Sequence, residues 1–172
     1  MAASLSMILY NLSSIYFEPH RFDRYIERAA AKYALDPALI RAVIHTETKF
    51  NPFAVGGAGE IGIMQILPGG AAADYARANR RPEYSRSELF DPELNIDIGS
   101  WYLAQGLNKY RDRADALELA VCRYNAGDSR ARRWSEAASG SVAAAIDIPS
   151  TRTYLEKVLS RVELYKKIGK NE

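Results

Sequence analysis

From Phe22 onward the apolar positions recur at helical spacing, interrupted by short polar or glycine-rich stretches. Phe22, Ile26, Ala29, Ala30 and Tyr33 fall on one face of a segment that follows Pro19, the pattern of a helix with one buried side. Asp36-Pro37 supplies an N-cap and a first-turn proline for the next helix. That helix carries Ile40, Val43, Ile44 and Glu47 on a single stripe, and Asn51-Pro52 is expected to end it. A carboxyl group therefore occupies a core position near a helix end.

Glycines 56, 57, 59 and 62 predict a loop leading into IGIMQIL, residues 61–67. This stretch is too short for an ordinary helix and almost wholly apolar, so it must be buried or lie against another surface. Residues 71–79 read as a short helix and RRPEYSRSE, residues 80–88, as a polar loop. Asp91-Pro92 repeats the cap signal before a helix bearing Ile96, Gly99, Tyr102, Leu103, Gly106 and Tyr110. Further helices are expected over 114–125, ending at Asn-Ala-Gly, and over 152–168, ending at Gly169, with an arginine-rich helical piece near Trp134 between them. Alternating strand patterns bounded by hairpin turns are hard to find. The chain reads as mainly α, with at most a short β-hairpin in the glycine loop.

The 172 residues are 48% hydrophobic and 26% charged, which suits one globular domain able to bury most of its unfolded surface. The first seventeen residues carry no charge, yet Leu5, Ile8, Leu9, Leu12, Ile15 and Tyr16 repeat at helical spacing. We divide the chain into an amphipathic segment, 1–20, and a domain, 21–172. The favoured reading of the segment is a helix docked on the domain; the alternative is the remnant of an export signal or anchor, although a basic start, a small-residue cleavage site and a long apolar run are all missing. Net charge is +2, with basic residues scattered among acids, which argues against nucleic acid as a partner. Cys122 is the single cysteine, so no intramolecular disulfide and no multi-cysteine metal site can form.

Glu47 is the main candidate for chemistry. Burial disfavours the ionised carboxylate, and the partial negative charge of a helix C-terminus pushes the same way. A carboxyl group kept protonated near neutral pH can donate its proton to a leaving oxygen. Taken alone, a glutamate near a helix end is ordinarily a side chain bending to water. His45 and Glu47 are two apart on the helix and point to different faces, so they form neither a metal pair nor a dyad. A Cys122 nucleophile with His45 as base has no supporting motif. Glu60 reads as a surface acid of the loop or as a second carboxylate at a cleft mouth.

Several motifs stand in a fixed order: ETKFNP at 47–52, AGEIGIMQILP at 58–68, LFDPELNIDIGSWYL at 89–103, YNAG at 124–127 and PSTRTYLEKV at 149–158. Together they resemble the catalytic domain of the soluble-type lytic transglycosylases, relatives of goose-type lysozyme, over about residues 25–168. The resemblance implies a lysozyme-like, mainly α single domain and makes Glu47 the sole catalytic acid and base, with Thr48 next to it. It matches Gly62, Ile63, Met64 and Gln65 to the family's Gly-Leu-Met-Gln turn, and places Thr48, Gly62, Met64, Gln65, Leu67 and Glu60 along a sugar cleft as substrate contacts. Tyr124 and Asn125 match a Tyr-Asn pair beside the acid, the tyrosine bonding the acid or a substrate acetamido group. Arg152 and Tyr154 are read as locking the last helix to the core. Departures from the pattern stand at Gly56-Gly57, usually Ser-Pro, and at Glu60, Leu67, Arg123 and Ser150.

The implied reaction cleaves the β-1,4 bond between N-acetylmuramic acid and N-acetylglucosamine without water, leaving 1,6-anhydro ends. No cofactor and no metal are implied. The implied partner is the glycan strand of peptidoglycan, which places the chain in the cell envelope, periplasm or outside the cell; an envelope or secretion-complex partner and the oligomeric state stay open. Two rivals remain: a muramidase of the same fold that uses water, and a glycan-binding module without turnover.

Overall fold

The computed structural model describes residues 19–138 and 140–169. The segment 1–20 falls almost entirely outside them. A 3-10 turn, Pro19–Phe22, leads into α1, Asp23–Tyr33; α2 runs Pro37–Thr48. A π-type turn at Pro68–Ala72 precedes α3, Ala73–Ala78, and a 3-10 turn at Glu88–Phe90 precedes α4, Pro92–Lys109. Then come α5, Ala116–Ala126, α6, Asp128–Ala137, α7, Val142–Ala145, and α8, Pro149–Ile168. The short α7 has no counterpart in the sequence pattern.

Both Asp-Pro signals act as expected. Asp36 accepts from the Ala38 N–H and Asp91 from the Leu94 N–H, each at 2.8 Å, and proline occupies the first turn where no N–H is needed. The end of α2 differs from the expectation. It stops at Thr48, before Asn51-Pro52, because Lys49 and Phe50 take left-handed conformations with φ of 53° and 67°. The Lys49 N–H then bonds the His45 carbonyl at 3.1 Å. Glu47 is thereby fixed in the last turn of the helix.

Helix α2 packs chiefly on α8, and α5 is enclosed by α4, α6 and α8. Ile40, Val43 and Ile44 are fully buried, and Ile26 and Trp134 belong to the same core. The IGIMQIL stretch is a loop sunk into this core, with Ile61, Ile63, Met64 and Ile66 all buried. Isolated bridges, Val55 with Ile61 and Ile61 with Ile66, stand in the glycine loop, where at most a short hairpin was expected.

A buried loop needs partners for its backbone, and Asn95 on α4 provides them. Its Nδ2 donates to the Ile61 carbonyl at 2.9 Å and the Leu89 carbonyl at 2.7 Å, while Oδ1 accepts from the Met64 N–H at 2.8 Å. Gly62 passes close above it with φ of +78°, where a Cβ would lie 2.7 Å from the Leu89 carbonyl oxygen.

Candidate functional site

A cleft of about 550 Å³ opens between the glycine loop and the helices, within the range of small-molecule and sugar sites. Glu47 reaches it from the end of α2, half-buried, with Ile40, Val43 and Ile44 behind it in the core. The Tyr154 hydroxyl, brought in by the packing of α8 on α2, donates to Glu47 Oε1 at 2.6 Å. Burial pushes the Glu47 carboxyl up from 4.5 to about 7; the Tyr154 bond pulls it down and the nearby charge of Glu60 adds to the rise. Burial wins because a single phenol donor does not replace the lost hydration shell of the anion. The protonated acid is therefore well populated at neutral pH. With Oε1 engaged as an acceptor, the proton belongs on the other oxygen.

Tyr124 and Tyr154 are held far above the ordinary tyrosine range, first by burial and then by the Glu47 charge. Both remain phenols and serve as donors. The Tyr124 proton is spent on the Met64 carbonyl at 2.8 Å. Of the two roles expected for Tyr124, the bond to the acid is made by Tyr154 instead. Tyr154 lies 107 positions from Glu47, and its spacing with Leu155, Val158 and Val162 reads only as a core stripe, so nothing local in the sequence singles it out. Tyr124 still lines the cleft, edge-on to Tyr102 with ring centroids 5.9 Å apart.

Of the residues expected at the cleft, Glu47, Glu60, Gln65, Leu67, Tyr124 and Asn125 line it. Thr48, Gly62 and Met64, also expected as substrate contacts, are not among its lining residues. Thr48 Oγ1 donates to the Ile63 carbonyl at 2.7 Å, tying the end of α2 to the loop. Met64 is wholly buried, and Gly62 is the backbone approach to Asn95 already described. Gln65 takes φ of 51° and donates from Nε2 to the Gly62 carbonyl at 3.0 Å. The Asn125 Oδ1 accepts from Thr151 Oγ1 at 2.9 Å. Tyr102 is a further lining residue that helix periodicity marks only as apolar.

Arg123, a departure from the family pattern, braces this wall. Its guanidinium lies 3.9 Å from the Tyr102 ring centroid, donates to the Tyr102 carbonyl at 2.9 Å and pairs with Asp128 at 2.8 Å. Ser150 is exposed. Cys122 is buried, its thiol pushed up to about 12 by desolvation, and His45 is bonded to the Tyr165 hydroxyl at 2.8 Å. Among the described residues no cluster of three His, Cys, Asp or Glu side chains is arranged to hold a metal ion.

The family described as the transglycosylase SLT domain matches residues 24–146. The chain belongs to this family. The SLT domain is 40% identical over 92 residues to the membrane-bound lytic murein transglycosylase C of Sodalis glossinidius, a match covering 53% of this chain and 26% of the relative. It is similar in structure to an inactive mutant of the lytic transglycosylase Slt from Pseudomonas aeruginosa, with a TM-score of 0.75 and 29% identity. It is also similar to the 70-kDa soluble lytic transglycosylase from Escherichia coli, with a TM-score of 0.76 and 27% identity. Both structural matches cover 86% of this chain and 24% of the other. The chain thus spans about a quarter of the length of the relatives it matches. The mainly helical fold expected from the sequence is the one these solved SLT domains share. No described helix is long and apolar enough to cross a membrane.

Proposed function

We propose that this SLT domain is a peptidoglycan lytic transglycosylase with Glu47 as its acid and base. The observation that carries the reading is a carboxyl group pushed up to about 7, facing a sugar-sized cleft and held at one oxygen by a tyrosine. Relatives named lytic murein transglycosylases support it.

Protonated Glu47 donates to the glycosidic oxygen between N-acetylmuramic acid and N-acetylglucosamine as that bond breaks. The substrate's acetamido oxygen covers the developing positive charge at the anomeric carbon, so no carboxylate nucleophile is required, unlike most glycosidases. Glu47, now ionised, is stabilised by the Tyr154 hydroxyl. It then takes the proton of the sugar's 6-hydroxyl, whose oxygen bonds the anomeric carbon and displaces the acetamido oxygen. The 1,6-anhydro product forms, and Glu47 regains its proton.

Gln65, Tyr124, Asn125, Leu67 and Glu60 are the proposed substrate contacts on the two walls, and residues 21–172 the catalytic unit. Glycan strands are the proposed partner, which puts the domain in the cell envelope. The presence of Glu60 in the cleft favours one second reading, a muramidase in which that carboxylate orients water.

Mass spectrometry of digested peptidoglycan separates these: anhydro ends are expected, and reducing ends select the muramidase. Glu47→Gln is expected to fold, bind glycan and lose turnover by at least about 100-fold. Turnover retained in that variant removes Glu47 from the role. Glycan binding without release in both proteins would select a non-catalytic module.

A further inference from the structure

Among the described residues two acidic side chains line the cleft, and no lysine, arginine or histidine lines it with them. The second acid, Glu60, is seated by the loop itself. Its Oε2 accepts from the Ala58 N–H at 3.0 Å, and the Gly56 N–H donates to the Glu60 carbonyl at 2.9 Å, closing a tight turn. The carboxylate fills the space in which any residue other than glycine at 56 would carry its Cβ: that atom would overlap Glu60 Oε2 and lie 2.7 Å from Gln65 Oε1. The chain departs from the family pattern at 56 and at 60, and one departure makes room for the other.

We propose that Glu60, lodged in the space that Gly56 leaves, is a positioning residue acting through Glu47: its negative charge adds to burial in keeping the proton on the acid. The groups facing Glu47 are Tyr154 from α8, Tyr124 from α5, Tyr102 from α4 and Glu60 from the loop. On α2 itself, His45 is turned to Tyr165. The three tyrosines are neutral, so Glu60 supplies the one formal charge that shares the cleft with the acid among the described residues. A like charge in the same cleft disfavours ionisation, and the effect opposes that of Tyr154. The functional value of this device rests on Glu47 being the acid of the reaction proposed above.

The test reads Glu47 directly. Its 13C carboxyl resonance, assigned by its loss in Glu47→Gln, is titrated in the wild type, Glu60→Gln, Gly56→Ala and the double variant. Glu60→Gln is expected to lower the midpoint by about half a pH unit, the size for two unit charges across a wet cleft. Gly56→Ala is expected to move it the same way by less, because the added methyl displaces the flexible ends of Glu60 and Gln65 and leaves the Glu60 charge in place. The double variant should match Glu60→Gln alone. On purified peptidoglycan, the ratio of Glu60→Gln to wild-type kcat/KM should fall about threefold between pH 5 and pH 8; substrate ionisation cancels in the ratio. A midpoint that stays put or rises in Glu60→Gln overturns the proposal, as does a loss of turnover that is uniform across pH. A shifted midpoint in a protein that releases no muropeptides upholds the coupling and sinks the reaction instead.

Discussion

The two walls of the cleft are built in different ways. On the helical wall, Glu47, Tyr154 and Tyr124 project from α2, α8 and α5, and each helix is fixed by an apolar stripe that would pack the same way without the site. On the loop wall, residues 56–67 have no regular hydrogen-bond ladder, and their position is dictated by side chains reaching in from elsewhere. Asn95 holds three backbone groups, Thr48 holds the Ile63 carbonyl and Tyr124 holds the Met64 carbonyl. Stacked helices give the site its acid; a loop strung on three polar anchors gives the cleft its shape.

Asn95→Ala should have the largest effect, and on the loop wall. It orphans the Met64 N–H and the Leu89 carbonyl in a site with no solvent access, while the Ile61 carbonyl keeps only its bond from the Ile66 N–H. With each of the two unsatisfied groups costing ~1–3 kcal/mol, we expect a loss of about 4 kcal/mol in urea unfolding. A loss below about 1 kcal/mol would mean that the loop is held by its apolar side chains alone, and the contrast between the walls would fall.

This division also explains what could be read from sequence. Periodicity identifies α1, α2, α4, α5 and α8, and the Asp-Pro caps locate two helix starts, because each signal is local. Burial of Glu47 follows from its place on the Ile40-Val43-Ile44 stripe. What stays hidden is long-range: nothing near Tyr154 announces Glu47, and nothing near Asn95 announces a loop 31 positions away. Motif matching has the converse weakness. It carries Thr48, Gly62 and Met64 along with the cleft residues because they are adjacent in sequence, whereas their atoms face the scaffold.

The next effect tests the helical wall through pH. Glu47 holds its proton more tightly in the folded protein, about 7 against 4.5. Below pH 4.5 it is protonated in both states and the stability contribution is complete. Between 4.5 and 7 the unfolded chain releases the proton first, so stability falls as pH rises; above 7 the loss is constant at about 3 kcal/mol. Glu47→Gln carries no such penalty and should exceed the wild type in stability by about 2 kcal/mol at pH 8, the gap closing toward pH 4.5. Parallel stability curves would show that the acid is not desolvated.

Tyr154→Phe and Tyr124→Phe separate the walls at smaller cost. Without the Tyr154 donor, ionised Glu47 loses stabilisation. The basic limb of kcat/KM should therefore move to higher pH, opposite in sign to Glu60→Gln, with kcat reduced about tenfold. Tyr124→Phe should leave that limb nearer its wild-type position while raising KM, because its missing bond frees the Met64 carbonyl and loosens the loop. Identical pH profiles for the two variants would merge the roles assigned to the two tyrosines.

The smallest expected effect probes the seam where the walls meet. Thr48→Val preserves shape but removes the 2.7 Å bond to the Ile63 carbonyl, leaving that acceptor unpaired beside the core. The cost should be about 1 kcal/mol by denaturant midpoint, because Asn95 and Tyr124 still hold the residues on either side. The informative readout is amide hydrogen exchange. If Thr48 couples the acid-bearing helix to the loop, protection should drop at both Ile63–Ile66 and the last turn of α2. A drop confined to the loop would show that α2 is held by α8 alone, and that the helical wall stands independently of the one it faces.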